Sequence, residues 1–295
     1  MKEKSVLESY EQKKERVREF NLTSDLFAGK VFEDIQACQE LCRILLQDDS
    51  VVLQDVKTQY VIRNLENHSV ELDILAERID GGLVVIELQM YRETAPFKRT
   101  RYYLSGIDMS ILEKGKSYDE LPSVTMVYLT KEDFIGSGKG CYLIERRADD
   151  QERVTDIGNG LKERYYNLEC LTDNPEVNEL VEYIKNSDPY YRTDIFPHIV
   201  ERVNSFKIHE GGVNVMCEIT DRIKNEGREE GRLEGRAEGR IEGMMRAILE
   251  LLEEIGQVPQ QIAELIKAES DPGVLSRWHK AAARASSIAE FEANM

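Results

Sequence analysis

The sequence predicts a mixed α/β domain, a central sheet flanked by helices, followed by a helical C-terminal tail. Three observations carry this. Between residues 21 and 220, segments with 3.6-residue apolar periodicity alternate with short strand-like runs. The stretch Glu71 to Met90, ELDILAERIDGGLVVIELQM, has the pattern of a β-hairpin, with Asp80-Gly81-Gly82 at the bend. From residue 221 onward, strand signals stop and glycine recurs at every fourth position through Gly243.

The elements follow in order. Residues 1–20 are polar and read as a loose or helical arm. Ile35, Cys38, Leu41, Cys42 and Leu45 make one apolar stripe, predicting a helix over 31–47. VVLQDVKTQYVI (51–62) predicts a strand, and the hairpin comes next. FKRTRYYLSGIDMSILEKG predicts a second helix over 97–114, closed by Gly115. Short strands are expected at 123–130, 141–147 and 164–170. NPEVNELVEYIKNSD predicts a helix with Asn174 as N-cap and Pro175 in its first turn. GSGKG (136–140) lacks the spacing of a phosphate-binding loop and reads as a turn between strands. The expected divisions are an arm at 1–20, an α/β domain at 21–220, the repeat at 221–246 and a helical segment at 247–295.

Within the repeat, Arg228, Arg232, Arg236 and Arg240 form one row, and Glu230, Glu234, Glu238 and Glu242 another. On a helix the two rows lie about 200° apart, at about 100° per residue. Two readings stand. One is a solvated linker. The other is a self-associating stalk, in which glycines allow close approach and one helix's arginines meet another's glutamates. The second reading makes the protein a homo-oligomer through its C-terminal region.

The formal net charge of −17 opposes non-specific adhesion to nucleic acid or anionic membrane, so such contact needs a local basic patch or metal-bridged phosphates. No stretch is apolar enough to span a membrane. The five cysteines include no CxxC pair and read as buried thiols in a reducing, cytoplasmic setting. His68, His198, His209 and His279 show no ligand spacing.

The hairpin is the segment with chemistry. A three-residue loop at 80–82 sets Ile79 opposite Leu83, so Leu72, Ile74 and Ala76 form one apolar ladder. Asp73 then faces Gln89, and Leu75 faces Glu87, which gathers the three polar residues on one side. Two close carboxylates repel unless a cation lies between them. A hard divalent ion such as Mg²⁺ suits that place, because it takes oxygen ligands and bridges to phosphate. From Tyr91 to Lys116, six basic residues (Arg92, Lys98, Arg99, Arg101, Lys114, Lys116) outnumber three acids (Glu93, Asp108, Glu113). Lys98, Arg99 and Arg101, with Tyr102 beside them, are candidates to meet phosphate groups.

SDLFAGKVF (24–32), the Asp…Glu-x-Gln hairpin, and the Arg- and Tyr-rich helix with the strand after it together resemble the PD-(D/E)XK nuclease superfamily. They resemble most its branch of recombination-promoting nucleases, or PD-(D/E)XK family transposases. The resemblance spans about 20–243 and implies a restriction-endonuclease-like fold. It implies a DNA endonuclease using Mg²⁺ or Mn²⁺, with Asp73 and Glu87 as metal ligands. Gln89 stands where most of the superfamily has Lys, and would orient water or phosphate. The superfamily's helix acid maps onto Glu40, with Glu33 as alternate. A non-catalytic relative that keeps the fold as an oligomeric binding or regulatory protein is the other implied reading.

Overall fold

The computed structural model describes residues 9–64, 68–90, 96–149 and 154–295. One compact unit ends at Cys217 and a second begins at Glu218.

The first unit opens with α1 (Tyr10–Arg18), α2 (Asp25–Phe32) and α3 (Ile35–Leu46). The single helix expected over 31–47 is therefore broken. Asp34 leaves the helical conformation and caps α3, its Oδ1 accepting from the amides of Gln36 and Ala37 at 3.0 Å each. A side chain that satisfies two open amides favours a start over continuation. Strands β1 (Leu53–Ile62), β2 (Val70–Arg78) and β3 (Leu83–Gln89) follow, then α4 (Pro96–Ile111) and β4 (Val124–Thr130). Gly115 lies beyond the end of α4, in a turn with φ +89°. Next come β5 (Cys141–Glu145) and a small two-stranded sheet of β6 (Arg147–Asp149) with β7 (Val154–Asp156). The unit continues with β8 (Leu161–Asn167), three residues earlier than the expected 164–170, then α5 (Pro175–Asn186) and α6 (Pro197–Ile208). Asn174 caps α5 as expected, with its amides of Glu176 and Val177 donating to Oδ1.

The six-stranded sheet has the order β1-β2-β3-β4-β8-β5. β1 to β3 form an antiparallel meander, β4 and β8 run parallel to β3, and β5 closes the edge antiparallel to β8. β3 and β4 are apolar almost throughout because both faces are covered. Val84, Ile86, Leu88, Val127 and Leu129 pack with α2, α3, α5 and α6. Leu83, Val85, Val124, Met126 and Tyr128 pack under Leu104 and Ile107 of α4 on the opposite face. This mixed sheet between helical layers is a restriction-endonuclease-like fold.

Asp133 organises the loop that contains GSGKG, accepting from the amides of Ile135, Gly136 and Gly138 and from the Tyr142 hydroxyl. It is a turn between β4 and β5, as the sequence suggests. None of the five cysteines is joined in a disulfide, and Cys38, Cys42 and Cys217 are buried.

Lys207 is the one buried lysine among the described residues. Its ammonium donates to the carbonyls of Ser187 at 2.8 Å and Arg18 at 3.1 Å, and lies 5.6 Å from the centre of the Phe27 ring. Burial pushes its pKa down to about 8. Between that value and the ordinary lysine range, the unfolded chain holds a proton that the folded chain has shed. Stability contributed at this position therefore rises with pH across about pH 8 to 10. Urea denaturation of the natural protein and of Lys207→Met should show the natural protein gaining on the variant, by on the order of 2 kcal/mol across that window. A constant difference would mean that Lys207 titrates normally.

The second unit contains most of α7 (Glu210–Ile255), with α8 (Gln260–Ala268), α9 (Pro272–Ala282) and α10 (Ile288–Ala293). Ile248, Leu252, Ile262, Ile266, Leu275 and Phe291 form its own core. The repeat is helical and lies wholly within α7. Every residue from 221 to 240 is exposed, and a β-carbon on Gly227, Gly231, Gly235, Gly239 or Gly243 would meet nothing within 4 Å. Among the described residues, no helix is long and apolar enough to cross a membrane.

Candidate active site

The hairpin turns one residue earlier than expected. The amide of Arg78 bonds to the carbonyl of Gly82, and the loop is Ile79-Asp80-Gly81 with Gly81 at φ +83°. The paired residues are Ile74 with Ile86, Leu75 with Val85, Ala76 with Val84 and Glu77 with Leu83. This shifts the expected pairing by two positions, so the faces of β3 are kept but the partners change. Glu87, not Gln89, comes opposite Asp73.

The β2–β3 ladder stops at Ile74 and Ile86. Beyond it the carboxylates replace the backbone bonds. The Leu88 amide donates to Asp73 Oδ2 at 2.8 Å, and the Asp73 amide donates to Glu87 Oε1 at 3.2 Å. The other neighbour of β2 is irregular at the same level. Thr58 pairs with Ile74 and Tyr60 with Leu72, while Gln59 between them adopts φ +51°, which is uncommon for a side chain of this kind. A β-carbon on Gly29 of α2 would sit 3.8 Å from Gln59 Cγ, so α2 covers this point.

One expectation fails here. Leu72, Ile74 and Ala76 do not form a single apolar ladder. Ile74 and Ala76 join the core under α2 and α3, whereas Val70 and Leu72 join the core under α4. The strand changes face at Asp73, where the β2–β3 ladder ends and the β1–β2 ladder is interrupted at Gln59. Strained backbone of this type concentrates at working sites.

Glu87 is 3% exposed, and no cation forms a salt bridge to it among the described residues. Burial, then the charge of Asp73, drives its pKa well above the ordinary carboxylate range. Burial likewise pushes Asp73 up to about 6, with Asp25 adding repulsion and the Leu88 amide and Arg99 opposing it. A buried and a half-buried carboxylate, directly opposed and satisfied mainly by amides, form a site poised for a cation.

Arg99 is the neighbouring positive charge. It reaches from α4, with Nη1 3.3 Å from Gln89 Oε1, Nε 3.0 Å from the Tyr103 hydroxyl and its guanidinium over the Tyr103 ring at 5.1 Å. It favours the ionised forms of Asp73, Glu87 and Asp25 alike. The structure thus brings Asp73, Glu87, Gln89 and Arg99 together. Lys98, Arg101 and Tyr102 lie on the exposed side of α4, and the Tyr102 hydroxyl donates to the His68 carbonyl at 2.7 Å. Arg92 and Glu93 lie outside the described residues.

Glu40 is placed elsewhere. Its carboxylate caps α6, accepting from the amides of His198 at 3.1 Å and Ile199 at 3.0 Å, with His198 Nδ1 at 2.6 Å from Oε1. Its oxygens are committed to that helix N-terminus, whose own N-cap residue, Phe196, offers no side-chain acceptor. Glu33 pairs with Lys30 at the end of α2. The helix acid that reaches Asp73 and Glu87 electrostatically is Asp25, in the first turn of α2, and its own pKa is raised by burial. Its signal was the Asp of SDLFAGKVF, which marks the motif but not the role.

Among the described residues, no three His, Cys, Asp or Glu side chains gather as a metal group. The pair fits a divalent cation nonetheless. Mg²⁺ is commonly held by one or two carboxylates together with water and substrate phosphate, and burial makes a cation between these two acids favourable.

A mixed sheet of this order, with opposed acids at the end of a splayed hairpin, is consistent with the restriction-endonuclease-like fold. Residues 39–179 match the family described as PD-(D/E)XK nuclease family transposase. No curated protein and no solved structure gives a match to the chain. Nucleases of this class generally use divalent metals, and the family implies DNA as substrate.

Proposed function

We propose that the α/β domain, taken as 21–220, is an endonuclease that hydrolyses DNA phosphodiesters with Mg²⁺ or Mn²⁺. The observation that supports this best is the direct opposition of buried Glu87 and half-buried Asp73, both displaced upward by desolvation, with the charge of Asp73 adding to the shift of Glu87. Asp73 and Glu87 would hold the cation. A bound divalent ion neutralises phosphoryl charge and makes water acidic enough to give up a proton near neutral pH. The chain's own residues do the rest. The Leu88 and Asp73 amides fix the carboxylates in place, Gln89 orients water or phosphate by hydrogen bonding, and the sheet and helices exclude bulk solvent. Lys98, Arg101 and Tyr102, exposed on α4, are offered as contacts to the DNA backbone. Plasmid nicking in Mg²⁺ by the natural protein and by Asp73→Ala tests this. Cleavage should depend on Asp73, and equal nicking by both would contradict the proposal.

Gln89 in place of lysine favours a second reading, an oligomeric binding protein with little turnover. The same assay separates the two, because that reading predicts DNA binding with no Asp73-dependent cleavage.

The repeat supports self-association. Each glycine inside a helix costs about 1 kcal/mol relative to alanine, and like charges stacked at four-residue spacing add to that. Across residues 221–240 this helix buries nothing to offset those costs. A second copy would, with arginine rows facing glutamate rows. Sedimentation should find the natural chain oligomeric. Changing Gly231, Gly235 and Gly239 to alanine should raise helicity yet weaken association about tenfold, roughly 1.4 kcal/mol, by blocking close approach. A monomeric natural chain would contradict the stalk.

A further inference from the structure

With a net charge of −17, contact with a polyanion has to come from a local basic patch. One such patch lies outside the candidate active site, in the second unit. Residues 272–289 carry Arg277, Lys280 and Arg284 but no acid. α9 buries Leu275 and Ala282 in the core of that unit, with Trp278 packed against it. Spacings of three and four residues set the cations in one row along the helix. The helical path carries on past Ala282, because the Ala285 amide donates to the Ala281 carbonyl at 3.0 Å, and this keeps Arg284 in the row. All three are exposed, and they line one groove of about 450 Å³ with Ala281 and Ala285. Among the described residues, no carboxylate forms a salt bridge with any of them. Glu290 also lines the groove, but it is engaged by the amide and hydroxyl of Ser286 at 2.8 Å each. Like charges stacked along a helix repel, so a row of this kind favours an anion beside it.

We propose that the second unit binds duplex DNA through Arg277, Lys280 and Arg284, by contacts to phosphate that read no base sequence. This rests on DNA being the partner, as in the function proposed above. α9 is the second helix of a pair, joined to α8 by Glu269, Ser270 and Asp271 alone, and a helix pair with so short a turn is a unit that proteins lay against a duplex. The start of α9 is closed by Asp271, whose Oδ1 accepts from the amides of Gly273 at 2.6 Å and Val274 at 3.3 Å. An acid, a proline and a glycine there offer nothing to read bases. The cations stand in the second half of the helix, where they fix position on the backbone and not sequence.

The test uses the full-length protein and a 30-base-pair duplex in chelator, so that binding is read without cleavage. Each phosphate neutralised contributes about 0.9 to the slope of log affinity against log salt. Changing Arg277, Lys280 and Arg284 together to glutamine should make that slope shallower by about 2.5 and weaken binding at least about tenfold at about 0.1 M salt. Arg277→Lys with Arg284→Lys keeps the charge and should keep the slope, and a scrambled duplex should bind the natural chain equally well. The proposal is overturned if the glutamine variant keeps the natural affinity and slope, if the lysine variant loses them, or if scrambling the duplex abolishes binding. A row that instead meets an acidic surface of a second copy would change the sedimentation of the glutamine variant and leave its duplex binding intact, which also overturns it. A natural chain that binds the duplex but nicks plasmid in Mg²⁺ no faster than Asp73→Ala would overturn the nuclease reading and leave the role of α9 standing.

Discussion

Glu87→Gln should reduce Mg²⁺-dependent plasmid cleavage by at least about 100-fold, the scale on which removal of one well-placed electrostatic group slows a reaction that develops charge. The change is nearly isosteric. The amide oxygen of the glutamine can still accept from the Asp73 amide, a bond of 3.2 Å in the natural protein. What disappears is the negative charge, in a position that is 3% exposed and so poorly screened by water. A fall in activity with intact folding therefore reports on charge and not on shape. Circular dichroism and a denaturation midpoint measured beside the nicking assay supply the control. A variant that cuts at the natural rate would show that Glu87 holds nothing the reaction needs.

The same substitution should make the metal-free protein more stable. A carboxylate desolvated at Glu87, with Asp73 opposite and the Asp25 charge acting on both, is unfavourable in the ionised state. Converting either acid to its amide relieves that repulsion and desolvation while keeping the hydrogen-bond acceptor. A gain of about 2 kcal/mol is expected at neutral pH in the presence of chelator, from the usual cost of burying imperfectly compensated polar groups. For a domain of this size that is a rise in Tm of about 4–8 °C. Adding Mn²⁺ should raise the Tm of the natural protein, because a ligand bound only by the folded state stabilises it, and should leave Glu87→Gln almost unchanged. If both variants are less stable than the natural protein in chelator, the acids are structural and the site is not strained in favour of a cation. The two predictions pull in opposite directions on one residue, as expected where activity and stability compete.

Much of the site was legible because strand parity survives a register shift of two. The sequence pattern places Asp73, Glu87 and Gln89 on one side of the hairpin with a bend at 80–82, and the actual three-residue bend at Ile79-Asp80-Gly81 leaves the parity of β3 intact. The direct opposition of Asp73 and Glu87 was not legible. It depends on which glycine takes the positive φ, and DGG offers two. The change of face at Asp73 was hidden for another reason. It arises where Gln59 on β1 leaves the extended conformation under α2, a tertiary effect with no local mark in VKTQYVI. Glu40 was misplaced because its helical stripe looks sound. Its carboxylate is drawn to α6 because that helix begins at Phe196-Pro197, with open amides and no capping side chain of its own. α6 itself was missed, since PHIVERVNSFKI mixes apolar and polar positions with weak periodicity. Arg99 was read as one of several basic residues on α4, and only packing separates it from Lys98 and Arg101.

Calorimetric titration of Mn²⁺ into the chelator-treated protein addresses the pairing of Asp73 with Glu87 most directly. One cation per chain is expected for the natural protein, and Asp73→Asn and Glu87→Gln should each remove most of that binding. Unchanged stoichiometry and affinity in both variants would show that these two carboxylates do not share an ion.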